Sequence, residues 1–234
     1  MVECLNSLYY ADNLELIIIR EDVKHDRQIM NICSNAGIAE INILKNSDFK
    51  KLSDTVNSQG ILGIVKLPEP KQLISKASTL KNLVVLLEGI NDPGNLGTIM
   101  RNCYWFGVDE LIVGKNSADV FNPKTVRSSQ GAIFNLNIKD NADIRIEIEK
   151  LYKETFNIFL TDLNAEIYLD EVDFRSFKKS AIVFGNESAG ISKNLLQDKN
   201  YRKIKIRSYG KCESLNVAVS TGIILNEYKK SCSG

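Results

Sequence analysis

From residue 83 onward, short apolar runs alternate with segments whose apolar residues have helical spacing. Runs of this kind, rich in Val, Ile and Leu, are typical of strands buried on both faces of a sheet. The helical segments include 143–155 and 217–230. This alternation predicts an α/β fold, a parallel sheet with helices on both faces. The predicted strands are 83–87, 111–113, 133–136, 158–160, 182–184 and 204–206.

The first part of the chain predicts a smaller α/β unit. A helix is predicted over 26–36, with Gly37 as its C-terminal cap. The apolar runs that predict strands are 14–19, 41–44 and 61–65. Pro68 and Pro70 then interrupt regular structure, because proline lacks an N–H donor and restricts the residue before it. The predicted division of the chain is a domain over 1–67, a linker over 68–79 and a larger domain over 80–234.

Composition is that of an ordinary globular protein. Of the 234 residues, 44% are apolar and 25% are charged. No uninterrupted apolar stretch approaches the ~18 residues of a membrane span. The first ten residues contain Glu3 and no Lys or Arg, which argues against a secretory signal or a mitochondrial presequence. We therefore expect a cytoplasmic protein without a membrane segment.

The cysteines and the histidine exclude several kinds of site. No Cys-x-x-Cys pair occurs, and His25 is the single histidine, without neighbours at metal-ligand spacing. We expect no metal site and no disulfide framework, and Ser-His-Asp or Cys-His catalysis is not favoured. The five cysteines are Cys4, Cys33, Cys103, Cys212 and Cys232.

Positive charge is concentrated near the end of the chain, although the formal net charge is only +1. Residues 199–211 contain six basic residues and no acid. Taken alone, this run is equally typical of a solvated face and of a contact with a nucleic-acid backbone. The basic residues are Lys199, Arg202, Lys203, Lys205, Arg207 and Lys211.

Three separated motifs combine turn-forming glycine or asparagine with polar side chains. They are Asp92–Gly97 together with Arg101, then Phe184–Gly190, then Ser214–Val217. Each one follows a predicted strand, and ligands of parallel sheets bind beyond the carboxyl ends of the strands. The pattern therefore predicts one site assembled from all three motifs.

The helix after the first motif should present Arg101 away from the core. Asn95 is the expected N-cap and Gly107 the expected stop. Arg101 lies on the opposite face from the apolar residues, where it is available to a ligand. The residues with helical apolar spacing are Leu96, Ile99, Met100, Cys103 and Phe106.

Together, these motifs resemble those of the SpoU/TrmH family of RNA ribose 2′-O-methyltransferases, which belong to the SPOUT class. Phe106-Gly107 and Ser128–Ala132 extend the resemblance, which covers about 83–228. The resemblance implies S-adenosylmethionine as cofactor, bound in a deep C-terminal trefoil knot. It also implies a homodimer with the site at its interface.

Matching motif positions then assign residues to roles. For the cofactor, the resemblance implies Thr161, Gly185, Ile206, Ser214 and Leu215. For catalysis, it implies Asn95, Arg101, Glu187, Ser214 and Asn216. For RNA binding, we expect Arg101 to act together with residues of the basic run beside the third motif. These residues are Lys203, Lys205, Arg207 and Lys211. No metal is implied.

The chain departs from the family pattern in two places. Where the family usually has Ile-Pro-Met, this chain has Ile206-Arg207-Ser208, which removes a rigid proline and adds charge at the rim. Residues 1–67 resemble, more loosely, the family's RNA-binding domain with a fold like ribosomal protein L30e. The best match is Ser53-Asp54-Thr55 with Gln59-Gly60, and the domain is shortened at its N-terminus.

The expected chemistry is methylation of a poor nucleophile without a histidine base. Glu187 is one candidate base, although its position better fits orientation of the site. Arg101 is the family's usual candidate, but a guanidinium keeps its proton in proteins. We therefore expect Arg101 to stay charged, hold the adjacent phosphate and stabilise the developing alkoxide.

Three functions remain open from the sequence. The leading hypothesis is methylation of a ribose 2′-hydroxyl in ribosomal RNA of the 23S type, because an accessory domain is present. The same reaction on transfer RNA is the alternative. A non-catalytic RNA-binding or ribosome-assembly factor with the same fold is the third, and the intact site residues argue against it.

Overall fold

The chain divides into two compact units, residues 1–72 and 73–234. The computed structural model describes residues 13–35, 40–53, 58–67 and 83–232. The predicted linker over 68–79, the Gly37 cap and Asp54-Thr55 lie outside the described residues. The two units are described separately below.

The first unit is a three-stranded sheet with the order β2-β1-β3, in which β1 is parallel to β2 and antiparallel to β3. Its elements are β1 (Leu14–Arg20), α1 (Arg27–Asn35), β2 (Glu40–Leu44), α2 (Asn46–Leu52) and β3 (Ile61–Val65). Apolar residues of β1 pack on Ile29 and Cys33 of α1. The three predicted strands are therefore present. Helix α2 was not predicted, because Phe49 is its single buried residue and its other positions carry little apolar pattern.

The second unit contains seven strands and five α-helices among the residues described from 83 to 232. The strands are β4 (Leu83–Glu88), β5 (Glu110–Gly114), β6 (Ile138–Ala142), β7 (Asn157–Thr161), β8 (Ile167–Tyr168), β9 (Ser180–Gly185) and β10 (Arg202–Lys205). The helices are α3 (Pro93–Trp105), α4 (Pro123–Ser128), α5 (Ile144–Lys153), the short helix α6 (Lys193–Leu196) and α7 (Val217–Cys232).

All pairings in this sheet are parallel, in the order β6-β5-β4-β9-β7-β10-β8. Along β4, Val85 packs into one core cluster and Val84 into the other, since successive side chains point to opposite faces. Helices α3 and α7 contribute to the first cluster and α5 to the second. The predicted parallel sheet with helices on both faces is confirmed.

One predicted strand is wrong. Residues 133–136 do not form a strand; Ala132–Phe134 is a 3-10 turn, and the edge strand β6 follows it. Gln130 and Gly131 both have positive φ, at 50° and 86°, which turns the chain into a buried corner before the strand can begin. The apolar residues of 133–136 therefore fill the core from a turn, whereas β6 is mostly polar.

The described ranges contain neither a membrane-spanning helix nor a metal-binding cluster. Among those residues, no helix is long and apolar enough to cross a bilayer. In the same ranges, no group of histidine, cysteine and carboxylate side chains is arranged to hold a metal ion.

Candidate functional site

The first motif begins helix α3 with Asp92, not Asn95, as the N-cap. The Asp92 carboxylate accepts a hydrogen bond from the backbone N–H of Asn95 at 2.9 Å, and Pro93 occupies the first turn. Lys124 Nζ lies 2.8 Å from the same carboxylate and holds the pKa of Asp92 below its usual value. The sequence prediction of Asn95 as cap is therefore wrong. The consequence is that the Asn95 side chain is free for another contact.

That contact joins all three motifs. Asn95 Nδ2 donates to Glu187 Oε1 at 3.1 Å, and Asn95 Oδ1 accepts from Asn216 Nδ2 at 3.0 Å. We call these three side chains, Asn95, Glu187 and Asn216, the amide network. The network connects the start of α3, the turn after β9 and the start of α7, so the predicted convergence of these three residues is observed.

The direction of the hydrogen bonds in the network is determined at Asn216. Asn216 Oδ1 accepts from the backbone N–H groups of Ala218 at 2.9 Å and Val219 at 3.3 Å, so it caps helix α7. Only its amide donor remains for Asn95, whose own donor must then face Glu187. Because a carboxylate that receives donors is stabilised in its ionised form, the network defines Glu187 as an acceptor.

Glu187 receives further donors from the first motif. The N–H groups of Asn91 and Asp92 lie 3.4 and 3.5 Å from its two carboxylate oxygens. Partial burial alone would raise the pKa of Glu187, but the hydrogen bonds from Asn95 and from backbone groups outweigh it and lower the pKa overall. Glu187 is therefore suited to orienting its neighbours in the ionised state.

The second motif folds into a tight turn that requires glycine. Asn186 and Gly190 exchange two backbone hydrogen bonds of 3.1 and 3.0 Å, and Asn186 Nδ2 donates to Gly89 O at 2.7 Å. A Cβ on Gly185 would lie closer than 3.0 Å to the backbone of Gly190 and Ile191. Gly190 adopts a positive φ of 68°. This turn sets the position of Glu187.

Arg101 lies outside the amide network. It is exposed, and no carboxylate in the described part of the chain forms an ion pair with it. The predicted helix face is confirmed, because Leu96, Ile99, Met100 and Cys103 are buried while Phe106 is partly buried. The guanidinium is therefore available to a ligand, in contrast to the three fixed side chains.

The residues predicted for the cofactor follow three adjacent strands. Gly185 ends β9, Thr161 ends β7 and Ile206 follows β10, and these strands are neighbours in the sheet. Thr161 Oγ1 donates to Val183 O at 3.0 Å, so its hydroxyl helps hold β7 on β9. Ser214 and Leu215 are exposed just before α7, and 49% of Leu215 is accessible. All five therefore belong to the carboxyl end of the sheet or to the segment that leads away from it.

The segment from 207 to 215 fits an adenosyl group chemically. Within the part of the chain that the structure describes, its backbone forms no hydrogen bond with another backbone group, so its N–H groups and its carbonyls other than Gly210 O, which accepts from Ser208 Oγ, remain available. Leu215 adds apolar surface that a base could cover, and a Cβ on Gly210 would meet nothing within 4 Å. Backbone donors beside an exposed apolar side chain are what a purine requires of a site.

Arg207, predicted to contact RNA, is held by the protein itself. Its guanidinium carbon lies 3.7 Å from the ring centroid of Tyr168 and its nitrogens lie 3.3–3.4 Å from Asp170 and Glu171. Lys205 Nζ approaches the same ring at 4.7 Å. Sequence reasoning missed this anchor, because it depends on β8 lying beside β10.

The remaining basic residues predicted for RNA are more accessible. Lys203 and Lys211 are exposed, and neither forms an ion pair within the residues that the structure describes. The basic run is therefore divided: Lys205 and Arg207 lie against Tyr168, whereas Lys203 and Lys211 face solvent.

Solved structures of methyltransferases share this fold. A putative RNA methyltransferase of the TrmH family from Porphyromonas gingivalis superposes with a TM-score of 0.76 at 28% identity, covering 97% of this chain and 84% of that one. The SpoU methyltransferase AviRb from Streptomyces viridochromogenes, solved with the cofactor AdoMet, gives 0.81 at 23% identity over 94% and 84%. The class defined by fold and site is that of RNA methyltransferases.

The chain belongs to the SpoU rRNA Methylase family, whose model matches residues 82–226. It is 32% identical over 184 residues to the 23S rRNA (guanosine(2553)-2′-O)-methyltransferase RlmP of Bacillus subtilis, covering 78% of this chain and 70% of that protein. Three further relatives are matched over 64%, 65% and 64% of their own lengths. Membership confirms the predicted enzyme class and S-adenosylmethionine as the methyl donor of that class.

Proposed function

We propose that this protein methylates a ribose 2′-hydroxyl of RNA, with ribosomal RNA as the first candidate substrate. The observation that carries the proposal is the amide network, which joins the three motifs through hydrogen bonds of 3.0 and 3.1 Å. A fold retained only for binding would not need three distant loops held in this way. The similarity to a 23S rRNA 2′-O-methyltransferase supports ribose and ribosomal RNA in particular.

When bound, S-adenosylmethionine would supply an electrophilic methyl group to the ribose 2′-oxygen, with S-adenosylhomocysteine as the leaving group and the hydroxyl proton passing to solvent. The residues proposed to hold the cofactor are Thr161, Gly185, Ile206, Ser214 and Leu215. These residues would hold the methyl donor in line with the ribose oxygen. Such orientation can lower the activation free energy of a reaction by about 7–11 kcal/mol.

Glu187 and Arg101 have different proposed roles. Both oxygens of Glu187 accept hydrogen bonds from the first motif, so it positions Asn95 and the turn rather than removing a proton. Arg101 remains charged, contacts the phosphate beside the target ribose and stabilises the developing alkoxide, typically worth about 3–4 kcal/mol. Ser214 and Asn216 orient the ribose.

Each unit of the chain is proposed to contact RNA by itself. Lys203 and Lys211 present unpaired charge to the phosphate backbone. The first unit, with the three-stranded sheet, is proposed as the RNA substrate-binding domain over 1–67, which the linker over 68–79 joins to the methyltransferase domain over 80–234. Its β2 edge strand carries Ile41 and Ile43, 47% and 54% exposed, as surface on which a partner could pack.

We further propose a cytoplasmic homodimer with a deep C-terminal trefoil knot. Helices α3 and α7 pack together, and Asn102 Nδ2 donates to Ala218 O at 2.8 Å. On these two helices four large apolar side chains are exposed, more than a solvated face needs, and a second copy of the chain would cover them. They are Tyr104, Trp105, Val219 and Ile223.

The direct test is transfer of a labelled methyl group from S-adenosylmethionine to RNA isolated from cells that lack the gene. Ribosomal and transfer RNA are assayed separately, and the product is digested to nucleosides. The expected result is a 2′-O-methylnucleoside in ribosomal RNA at one mapped position. Label in transfer RNA instead would establish the alternative substrate.

The same assay distinguishes the non-catalytic alternative. A protein that binds S-adenosylmethionine and RNA but transfers no methyl group would contradict the proposed function. Mapping 2′-O-methylation in cells with and without the gene supplies the matching result in vivo, since the mapped position should lose its modification.

A further inference from the structure

A nearly fully exposed tyrosine lies in the loop between β10 and the third motif. Tyr209 is 91% exposed, and its ring makes no aromatic or cation contact with any residue in the described part of the chain. Tyrosine normally contributes a large apolar area to packing, so leaving the whole ring in water forgoes that stabilisation. We define residues 207–214 as the Arg207 loop.

The Arg207 loop is anchored at both ends. At its start, Arg207 stacks on Tyr168 at 3.7 Å and bonds to Asp170 and Glu171. At its far end, the chain leads into Asn216, which bonds to Asn95 and caps α7. Ser208 Oγ donates to Gly210 O at 3.2 Å across Tyr209. The ring is thus presented on a constrained turn.

Charge in the loop points to stacking more than to electrostatics. The Arg207 charge is offset by Asp170 and Glu171, and exposed Lys211 is accompanied by exposed Glu213. Such a loop offers one phosphate contact rather than a basic patch. An aromatic face, by contrast, binds any unpaired base, because every base has a π-face.

The loop is also close enough to act on the substrate of the same site. Tyr209 and Asn216 are seven positions apart in the sequence, which limits the distance between them to about 25 Å. We propose that Tyr209 stacks on an unpaired base of the RNA substrate, near the target ribose, with Lys211 on an adjacent phosphate. This inference rests on the proposed function and adds that the recognised segment is single-stranded.

The test measures RNA binding apart from methyl transfer. The probes are a fluorescein-labelled single-stranded oligoribonucleotide of mixed sequence, 12 nucleotides long by design, and the duplex of the same length (roughly one turn of helix). Tyr209→Ala should weaken binding of the single strand about 5- to 150-fold, while Tyr209→Phe stays within about twofold of wild type. Duplex binding should change little in either variant.

Three controls define the role. Affinity for S-adenosylmethionine, measured by calorimetry, should be the same in Tyr209→Ala and wild type. Lys211→Ala should reduce the slope of log affinity against log salt by about one, whereas Tyr209→Ala should leave that slope unchanged. Tyr152→Ala, at a half-exposed tyrosine of α5, should not affect RNA binding.

Several results would overturn the inference. They are single-strand binding by Tyr209→Ala within twofold of wild type, no single-strand binding by wild type, or dissociation of a homodimer on Tyr209→Ala in sedimentation. The last outcome would place the ring against a second copy of the chain. The proposed function fails independently, if wild-type protein transfers no methyl group to any RNA.

Discussion

The site has two parts that differ in how firmly the protein holds them. In the amide network, each side chain is bonded to another motif, and Asn216 also caps a helix. On the other side, the exposed side chains of Arg101, Ser214 and Leu215 form no hydrogen bond or ion pair within the part of the chain that the structure describes. We call this second part the open side.

The difference separates positioning from binding. Side chains that already have partners are ordered before a ligand arrives, so they cost little further entropy when it binds. Exposed groups without partners can bind a ligand without first breaking a hydrogen bond or ion pair within the protein. The network therefore sets the geometry, and the open side supplies the contacts that change during the reaction.

The largest expected effect comes from removing the charge of the open side. Arg101→Ala should lower methyl transfer about 10²- to 10³-fold, because one electrostatic stabiliser is typically worth about 3–4 kcal/mol. The free energy of unfolding should stay within about 0.5 kcal/mol of the wild-type value, since Arg101 forms no ion pair with a residue that the structure describes. Single-turnover transfer and denaturant unfolding provide the two measurements.

Arg145→Ala is the matched control for Arg101. Arg145 is an exposed helical arginine paired with Glu149 on α5, away from the motifs. Its removal should affect neither transfer nor affinity for S-adenosylmethionine. Transfer by Arg101→Ala at the wild-type rate would show that the open side does not include Arg101.

The next effect should arise where the network depends on a close backbone approach. Gly185→Ala places a Cβ against the backbone of Gly190 and Ile191, so the turn carrying Glu187 must shift. We expect a loss of about 1–3 kcal/mol in the free energy of unfolding, as for overpacked sites. Gly210→Ala, in open space, should leave stability unchanged. Equal stability of the two variants would refute the close approach.

A smaller change would reverse the polarity of the network without removing the cap of α7. Asn216→Asp keeps an oxygen for the N–H of Ala218 but removes the donor to Asn95. Asn95 should then turn its amide, and Glu187 should lose its side-chain donor. Loss of one hydrogen bond, about 1 kcal/mol, corresponds to roughly fivefold slower transfer.

Asn216→Ala separates the cap from the network. It removes both functions of the side chain and should lower the free energy of unfolding by about 1 kcal/mol, whereas Asn216→Asp should not, because asparagine and aspartate cap equally well. The pKa of Glu187, followed by carboxyl NMR, should rise in Asn216→Asp, because the Asn95 amide turns away from it, and should stay close to the wild-type value in Asn216→Ala, where Asn95 keeps its donor on Glu187. An unchanged pKa in Asn216→Asp would mean that Asn95 does not respond.

The smallest expected effect is a pH dependence of stability due to Glu187. Its folded-state pKa is lowered from 4.5, so its contribution is present above that value and is lost as pH falls through the lowered folded-state pKa. The stability difference between wild type and Glu187→Gln should therefore be constant near neutral pH and shrink in acid. Urea unfolding across the range measures it; a difference that grows in acid would contradict the ionised network.

The central strands β4, β5, β7 and β9 were predictable because they are short apolar runs buried on both faces. The predictions failed where local pattern and burial diverge. Residues 133–136 are apolar but fill the core from a turn, and β6 is a polar edge strand. The two-residue strand β8 and the six-residue helix α4 are too short to carry a periodic signal.

In the site, the motifs identified Asn95, Glu187 and Asn216, but not how they bond. The sequence predicted Asn95 as the N-cap of α3, whereas the cap is Asp92, whose carboxylate also contacts Lys124, a residue distant in sequence. The Tyr168 anchor of Arg207 was likewise unpredictable, because strand order decides it. The sequence motifs thus identify the site residues, whereas the tertiary structure determines which residues they contact.

The cap on α7 has a practical corollary for handling the protein. Asn216 occupies the first position before a helix that continues to Cys232 and packs its Tyr228 ring 5.1 Å from Phe174. Sliding that helix by one residue would move it about 1.5 Å and rotate it about 100°, further than the Asn216–Asn95 bond tolerates. Affinity tags or surface attachments placed just beyond α7 should therefore be joined through a long flexible spacer.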